Sequence, residues 1–192
     1  PKGFRGPGFS WSMDLLEVLR KRGYQYDAST LPTWLGPIAR AYYFWKSDLP
    51  KEEKVARKEL FGKFSDGLRP NKPYYHQLAN TGKLLEIPVT TIPILRVPFH
   101  LSYIIYLSGI SNILMKLYIN LAVIFCKLTK TPPSYLLHPL DLISGDKIPQ
   151  LAFFPGMNLP TEKKIHVLKY VLMKFKRNFM LNTMGEFAEK VI

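Results

Sequence analysis

The chain has 192 residues, the size of one domain or a large part of one, and is 47% hydrophobic, 14% aromatic and 21% charged. That balance excludes a disordered tail, a collagen-like repeat and a disulfide scaffold, and the single cysteine, Cys126, leaves no intrachain disulfide and no Cys-based zinc site. Twenty-seven Lys and Arg against fourteen Asp and Glu give a net charge of +13, which suits an anionic partner such as an acidic glycan, a lipid headgroup or nucleic acid without choosing among them.

The chain opens Pro1-Lys2-Gly3-Phe4-Arg5, with no Met and with Phe4-Arg5 reading as the end of a strand, so a piece of a longer protein is predicted. A helix follows from Met13. Ser12 is its N-cap, Asp14 and Glu17 lie near its positive end, and Arg20, Lys21 and Arg22 lie near its negative end. Leu15, Leu16 and Leu19 form its apolar stripe and Gly23 stops it. Tyr24-Gln25-Tyr26 reads as a short strand, so the unit is strand, loop, helix, strand, the grammar of an α/β protein.

Residues 31–83 are punctuated by Pro32, Pro37, Pro50, Pro70 and Pro73 and read as loop, apart from a short charged helix at residues 51–59. Residues 84–91, LLEIPVTT, read as a strand in which Pro88 predicts an edge position or a bulge. The apolar stretch 101–128 is helical in character. A spanning helix needs about 20 mostly apolar residues, but Lys116 and several polar residues interrupt this one, so packed helices are favoured over an interfacial or a spanning arrangement. Residues 134–138, SYLLH, read as a strand. Pro160-Thr161-Glu162 opens an amphipathic helix whose face is Ile165, Leu168, Leu172 and Phe175, with Lys163, Lys164, Lys169, Lys174 and Lys176 largely off it. Residues 179–183 read as a strand and 186–191 as a terminal helix.

The histidines His76, His100, His138 and His166 have no helical i, i+4 spacing and form no Cys/His cluster, so no complete metal site is legible. Packing or surface roles are expected for His76 and His100, and solvation for His166. His138 ends an apolar run and precedes Pro139. Arg5 and Asp27 share with it the predicted position at a strand's carboxyl end, where barrel-like α/β proteins carry their active sites. An aspartate can hold an imidazole and favour its protonated, acid form, and an arginine can orient a carboxylate base. The plainer alternative makes Asp27 a turn residue and Arg5 a loop cation.

Phe4-Arg5-Gly6-Pro7-Gly8-Phe9-Ser10, then a helix, then Gly23-Tyr24-Gln25-Tyr26-Asp27-Ala28-Ser29, resembles the polysaccharide deacetylase family (NodB homology, carbohydrate esterase family 4), with its Arg-x-Pro motif and RYDSS-like strand end. Leu85-Glu86-Ile87-Pro88-Val89-Thr90-Thr91 is similar to the family's EIPVST strand, and Tyr135-Leu136-Leu137-His138-Pro139-Leu140-Asp141 to its late Leu-x-x-His motif. Order and approximate spacing agree across nearly the whole chain. The resemblance implies the C-terminal portion of a distorted (β/α) barrel lacking its N-terminal strands, one domain over 1–192 with an apolar helical insertion at about 100–128.

It implies removal of N- or O-acetyl groups from a polysaccharide or lipid-linked glycan with a divalent metal, usually zinc, which polarises the acetyl carbonyl and activates water. In that scheme Arg5 orients the base, His138 is the general acid, Asp27 tunes His138, and Pro7 and Gly8 shape the groove wall. The family's Asp-Asp pair and His-x-x-x-His metal pair are absent from the sequence. The ligands and base are therefore expected upstream of Pro1, no metal is expected to bind this chain alone, and the 192 residues alone are expected to be inactive. Ala28 stands where the family commonly has Ser, and Tyr135 where it often has Leu. The alternative is a non-catalytic glycan- or membrane-surface-binding relative, with surface contact through 101–128. Nucleic acid is disfavoured, because the lysines are dispersed and no recognised binding motif is present. Localisation is left open, with the cell envelope or membrane surface compatible.

Overall fold

The computed structural model describes residues 1–46, 62–152, 154 and 156–192. The charged helix predicted at 51–59 lies outside them. The chain divides into two units, residues 1–89 with 182–192, and residues 90–181. The architecture is mixed α/β, with one small mixed sheet and six α-helices among the described residues.

In the first unit, β1 (Gly3–Phe4), β2 (Tyr26–Asp27) and β4 (Gly82–Glu86) run parallel, and β3 (Tyr74–Leu78) pairs antiparallel to β4, in the order β1-β2-β4-β3. Helix α1 (Met13–Lys21) joins β1 to β2. The Ser12 hydroxyl accepts from the Leu15 N–H at its start, and Gly23, at φ 79°, turns the chain beyond its end. Leu16 and Leu19 pack with Leu78 and Leu84 on one face of the sheet. On the other, Leu85 and Ile87 pack with Ala188 of the C-terminal helix, and Tyr26, Tyr75 and Phe187 lean on them. Side chains alternate across each strand, which is why Leu84 and Leu85 belong to different cores.

Helix α2 (Gly36–Lys46) and strand β3 with its turn occupy the stretch that reads as loop. Tyr74-Tyr75-His76-Gln77-Leu78 lacks the apolar alternation that marks a strand, so only the pairing reveals it. Its turn is tied to α1, where Glu17 accepts from the Asn80 N–H (2.9 Å) and the Thr81 hydroxyl (2.7 Å). The strand expected over 84–91 ends at Glu86 and is central, not an edge. Ile87 and Val89 continue to donate to the Asp27 and Thr30 carbonyls, so Pro88, which has no N–H, falls at the alternate position whose donor faces away.

The second unit is helical. Its described helices are α3 (Leu101–Ile110), α4 (Asn112–Leu128) and α5 (Thr161–Asn178); α6 (Met184–Val191) is the C-terminal helix of the first unit. The stretch 101–128 is broken at Ser111, whose extended backbone ends α3 and whose hydroxyl caps α4 by accepting from the Leu114 N–H. No described helix is long and apolar enough to cross a membrane. Ile104, Ile119, Val123, Val171 and Phe175 lie in its core together with Cys126, which is 1% exposed and whose thiol burial pushes up to about 12.

Three readings are corrected here. Residues 134–138 form no strand: Ser134 exchanges bonds with Thr90, and Leu136 accepts from Leu101 at the start of a helix, but these isolated bonds do not continue into a ladder. Residues 179–183 form no strand either, because Phe179 closes α5 and Thr183 caps α6, reciprocally with Glu186. The buried face of α5 is Val167, Val171 and Phe175 with Lys164, while Ile165 and Leu172 are exposed. Lys164 is 1% exposed because its ammonium donates to the carbonyls of Leu140 (3.0 Å) and Ile143 (2.6 Å) and meets Met157 Sδ at 3.5 Å.

Candidate functional site

The parallel register β1-β2-β4 sets Asp27 opposite Glu86 at the carboxyl ends of adjacent strands. Tyr74 pairs with Glu86 and His76 with Leu84, so alternation brings all four polar side chains to the face that also carries Leu84. Asp27 and Glu86 are both 0% exposed. The Ser29 hydroxyl and N–H donate to Asp27 at 2.7 and 3.3 Å, and the Thr30 hydroxyl and N–H to Glu86 Oε1 at 2.6 and 3.0 Å. His76 Nε2 faces Glu86 Oε2 at 3.6 Å, beyond hydrogen-bonding length, with its ring between Trp11 and Tyr74.

Two buried carboxylates side by side cannot both ionise cheaply. Burial, then the neighbouring Glu86 charge, raises Asp27 to about 7, against the bonds from Ser29. Burial works to raise Glu86 as well, but its contacts with His76, Thr30 and Asp27 outweigh that and hold it below the ordinary value. Near neutral pH Asp27 is thus the acid of the pair that holds a proton, beside an ionised Glu86, an arrangement that can give or take a proton.

Arg5 follows β1 and donates its Nε–H to the Ala28 carbonyl at 2.8 Å. Burial lowers it from its ordinary value while Glu86 and Asp27 draw it back up, so it remains the cation beside the acid pair. The buried Gly6 N–H donates to the Ser29 hydroxyl at 2.8 Å, so one serine joins the turn after β1 to Asp27. Pro7 and Gly8 are exposed in the short 3-10 turn Pro7–Phe9, where Gly8 takes φ 59°.

His138 belongs to the second unit, ahead of the 3-10 turn Pro139–Leu142 rather than at a strand end. Its backbone N–H donates to Asp141 Oδ2 (2.8 Å), its Nδ1 is 3.1 Å from the Ser102 hydroxyl, and that hydroxyl donates to Asp141 Oδ1 (2.7 Å). A proton on Nδ1 then completes a directed chain from imidazole through hydroxyl to carboxylate. Burial works to raise Asp141, yet the bonds from His138 and Ser102 prevail and hold it below the ordinary value, so it stays the anion that anchors the chain. The His138 side chain is 44% exposed and the His100 ring lies edge-on to it at 5.5 Å.

Arg5 and Asp27 are thus brought together in the first unit, whereas His138 takes its contacts from Ser102 and Asp141 of the second. In the sequence Glu86 and Asp141 stand only within motifs, and Ser102 and the site contact of His76 carry no signal there. A single acid inside the apolar run Leu84-Leu85-Glu86-Ile87 is the mark that distinguishes Glu86. A cleft of about 640 Å³ in the second unit is lined by Ser144, Asp146, Lys147, Asn158, Thr161 and Glu162 among others, and by none of the predicted site residues. Among the described residues no three His, Cys, Asp or Glu side chains converge to hold a metal ion.

No family model, curated protein or solved structure matches the chain.

Proposed function

We propose that this chain is the C-terminal part of a metal-dependent polysaccharide deacetylase, which hydrolyses N-acetyl or O-acetyl groups on a polysaccharide or lipid-linked glycan. The fold in this reading is a portion of a distorted (β/α) barrel completed by strands preceding Pro1. The observation that carries it is the delivery of Arg5, Asp27 and Glu86 to the carboxyl ends of three parallel strands, each at a segment that resembles one of the family's motifs.

Because the family's Asp-Asp pair and His-x-x-x-His pair are absent from the sequence, this reading assigns the metal ligands and the base to a preceding segment, and no step on this chain runs through the ion. His138 protonates the leaving nitrogen as the acetamide carbon–nitrogen bond breaks, its Nδ1 side held by Ser102 and Asp141. Arg5 orients the base, and Pro7 and Gly8 shape the groove.

The test is acetate release from an N-acetylated oligosaccharide by the longer protein and by its His138→Ala variant. Loss of at least a hundredfold in kcat is expected, in the range of general acid catalysis. The 192-residue chain is expected to release none, and release faster than its own His138→Ala control overturns the assignment of base and metal to a preceding segment. The alternative, a non-catalytic glycan- or membrane-surface-binding relative, is favoured by the +13 charge and predicts binding without acetate release by the longer protein.

A further inference from the structure

Helix α4 has two apolar faces. Met115, Ile119, Ala122, Val123 and Cys126 are in the core. Opposite them Ile113, Leu117, Leu121, Ile124 and Leu128 recur every three or four residues, and they are exposed, Ile113 by 72%, Leu117 by 61% and Leu128 by 75%. Ile110, at the end of α3, is exposed as well. Single exposed leucines are ordinary, but a continuous stripe along a 17-residue helix, about 25 Å at the helical rise, marks an interaction surface.

The charges on its own stretch of chain have one sign. From residue 87 to residue 140 the sequence contains no Asp or Glu, while Lys116, Lys127 and Lys130 are exposed on or just after α4. Lys116 and Lys127, about three turns apart, project on the same flank of the stripe. A second copy of this chain would bring the same cations to the seam, whereas an anionic bilayer offers hydrocarbon to the stripe and negative charge to the lysines. The short α3 and α4, divided at Ser111, suit lying in a surface better than crossing it.

We propose that α4 is an in-plane membrane-binding element, laying its Ile113–Leu117–Leu121–Ile124–Leu128 stripe into the headgroup boundary of an anionic lipid surface. The inference is independent of the deacetylase reading, since it needs no acetate release. The test is flotation of the 192-residue chain with vesicles of phosphatidylcholine alone and with 30% phosphatidylglycerol. Binding is expected to be at least tenfold stronger to the anionic vesicles and to fall with added salt. The exposed double variant Leu117→Glu/Ile124→Glu is expected to lose binding at least tenfold to both vesicles, and Lys116→Glu/Lys127→Glu to lose only the preference for the anionic one. Circular dichroism and a thermal melt of both variants verify that they fold. Absence of flotation with anionic vesicles overturns the proposal, as does flotation unchanged in the folded Leu117→Glu/Ile124→Glu variant. A doubled mass by light scattering that this variant halves, without vesicle binding by the parent, overturns it too and assigns the stripe to a second copy.

Discussion

Asp27 and Glu86 show how a single register pair decides protonation. In the unfolded chain Asp27 titrates near its ordinary 3.8, while in the fold it is raised to about 7 by burial and by Glu86. A folded value above the unfolded one means that the fold binds the proton more tightly; the stabilisation is fully present below the unfolded value and is lost as pH rises through about 7. Between pH 5 and pH 8 urea unfolding is therefore expected to show a loss of about 2 kcal/mol, allowing for the coupling of Asp27 to Glu86. Asp27→Asn, a neutral isostere of the protonated acid, is expected to flatten that slope to well under half. An undiminished slope in the variant would place the titrating group elsewhere.

At the scale of elements, α1, α4 and α6 owe their starts to hydroxyl caps that sequence chemistry announces, and the strands owe their limits to pairing that it does not. Ser12, Gly23 and the acid–base polarity of α1 are local signals, and so the helix from Met13 was legible almost to the residue. Strand β3 was not, because Tyr74 to Leu78 becomes a strand through its partner Gly82–Glu86 and through Glu17 holding the turn. Helix α5 carries the clearest case of a misread face. A lysine in a basic, amphipathic pattern reads as solvated, yet Lys164 is buried because the irregular segment 139–143 turns two carbonyls toward it. Lys164→Ala is expected to cost about 2–3 kcal/mol, since it strands those carbonyls without a donor. Faster amide exchange across residues 140–143 than elsewhere in the unit would accompany it, and a loss below about 0.5 kcal/mol would mean that water replaces the ammonium.

For the molecule as a whole, charge is unevenly shared. Residues 90–181 hold eleven Lys and Arg against three Asp and Glu, and the remaining residues sixteen against eleven, so most of the net +13 belongs to the smaller stretch of chain. The total was visible in the composition, but its concentration around an apolar helix stripe emerges only when the folded exposure is known. The candidate site was legible in a similar, partial way. Strand-end reasoning found Arg5 and Asp27, because strand alternation and parallel order are local rules that project residues to a common end. It missed Glu86 as the partner acid, since the adjacency of β2 and β4 is a long-range fact joining residues 27 and 86. The same reasoning nominated His138, but no strand ends at it, and its neighbours Ser102 and Asp141 come from a helix start and a 3-10 turn that no strand pattern would nominate.

The distribution of two uncommon residues gives the protein a pair of built-in clocks. Its three tryptophans, Trp11, Trp34 and Trp45, all belong to the first unit, and its single cysteine to the second. Cys126 is enclosed and its thiol is held far from ionisation, so a thiol reagent at neutral pH can react only in molecules whose second unit has opened. Indole fluorescence times the loss of the first unit and thiol capture times the opening of the second, in the same unmodified chain. The interval between the two, followed through a denaturant series, measures directly how strongly each half of the molecule depends on the other for its folded lifetime.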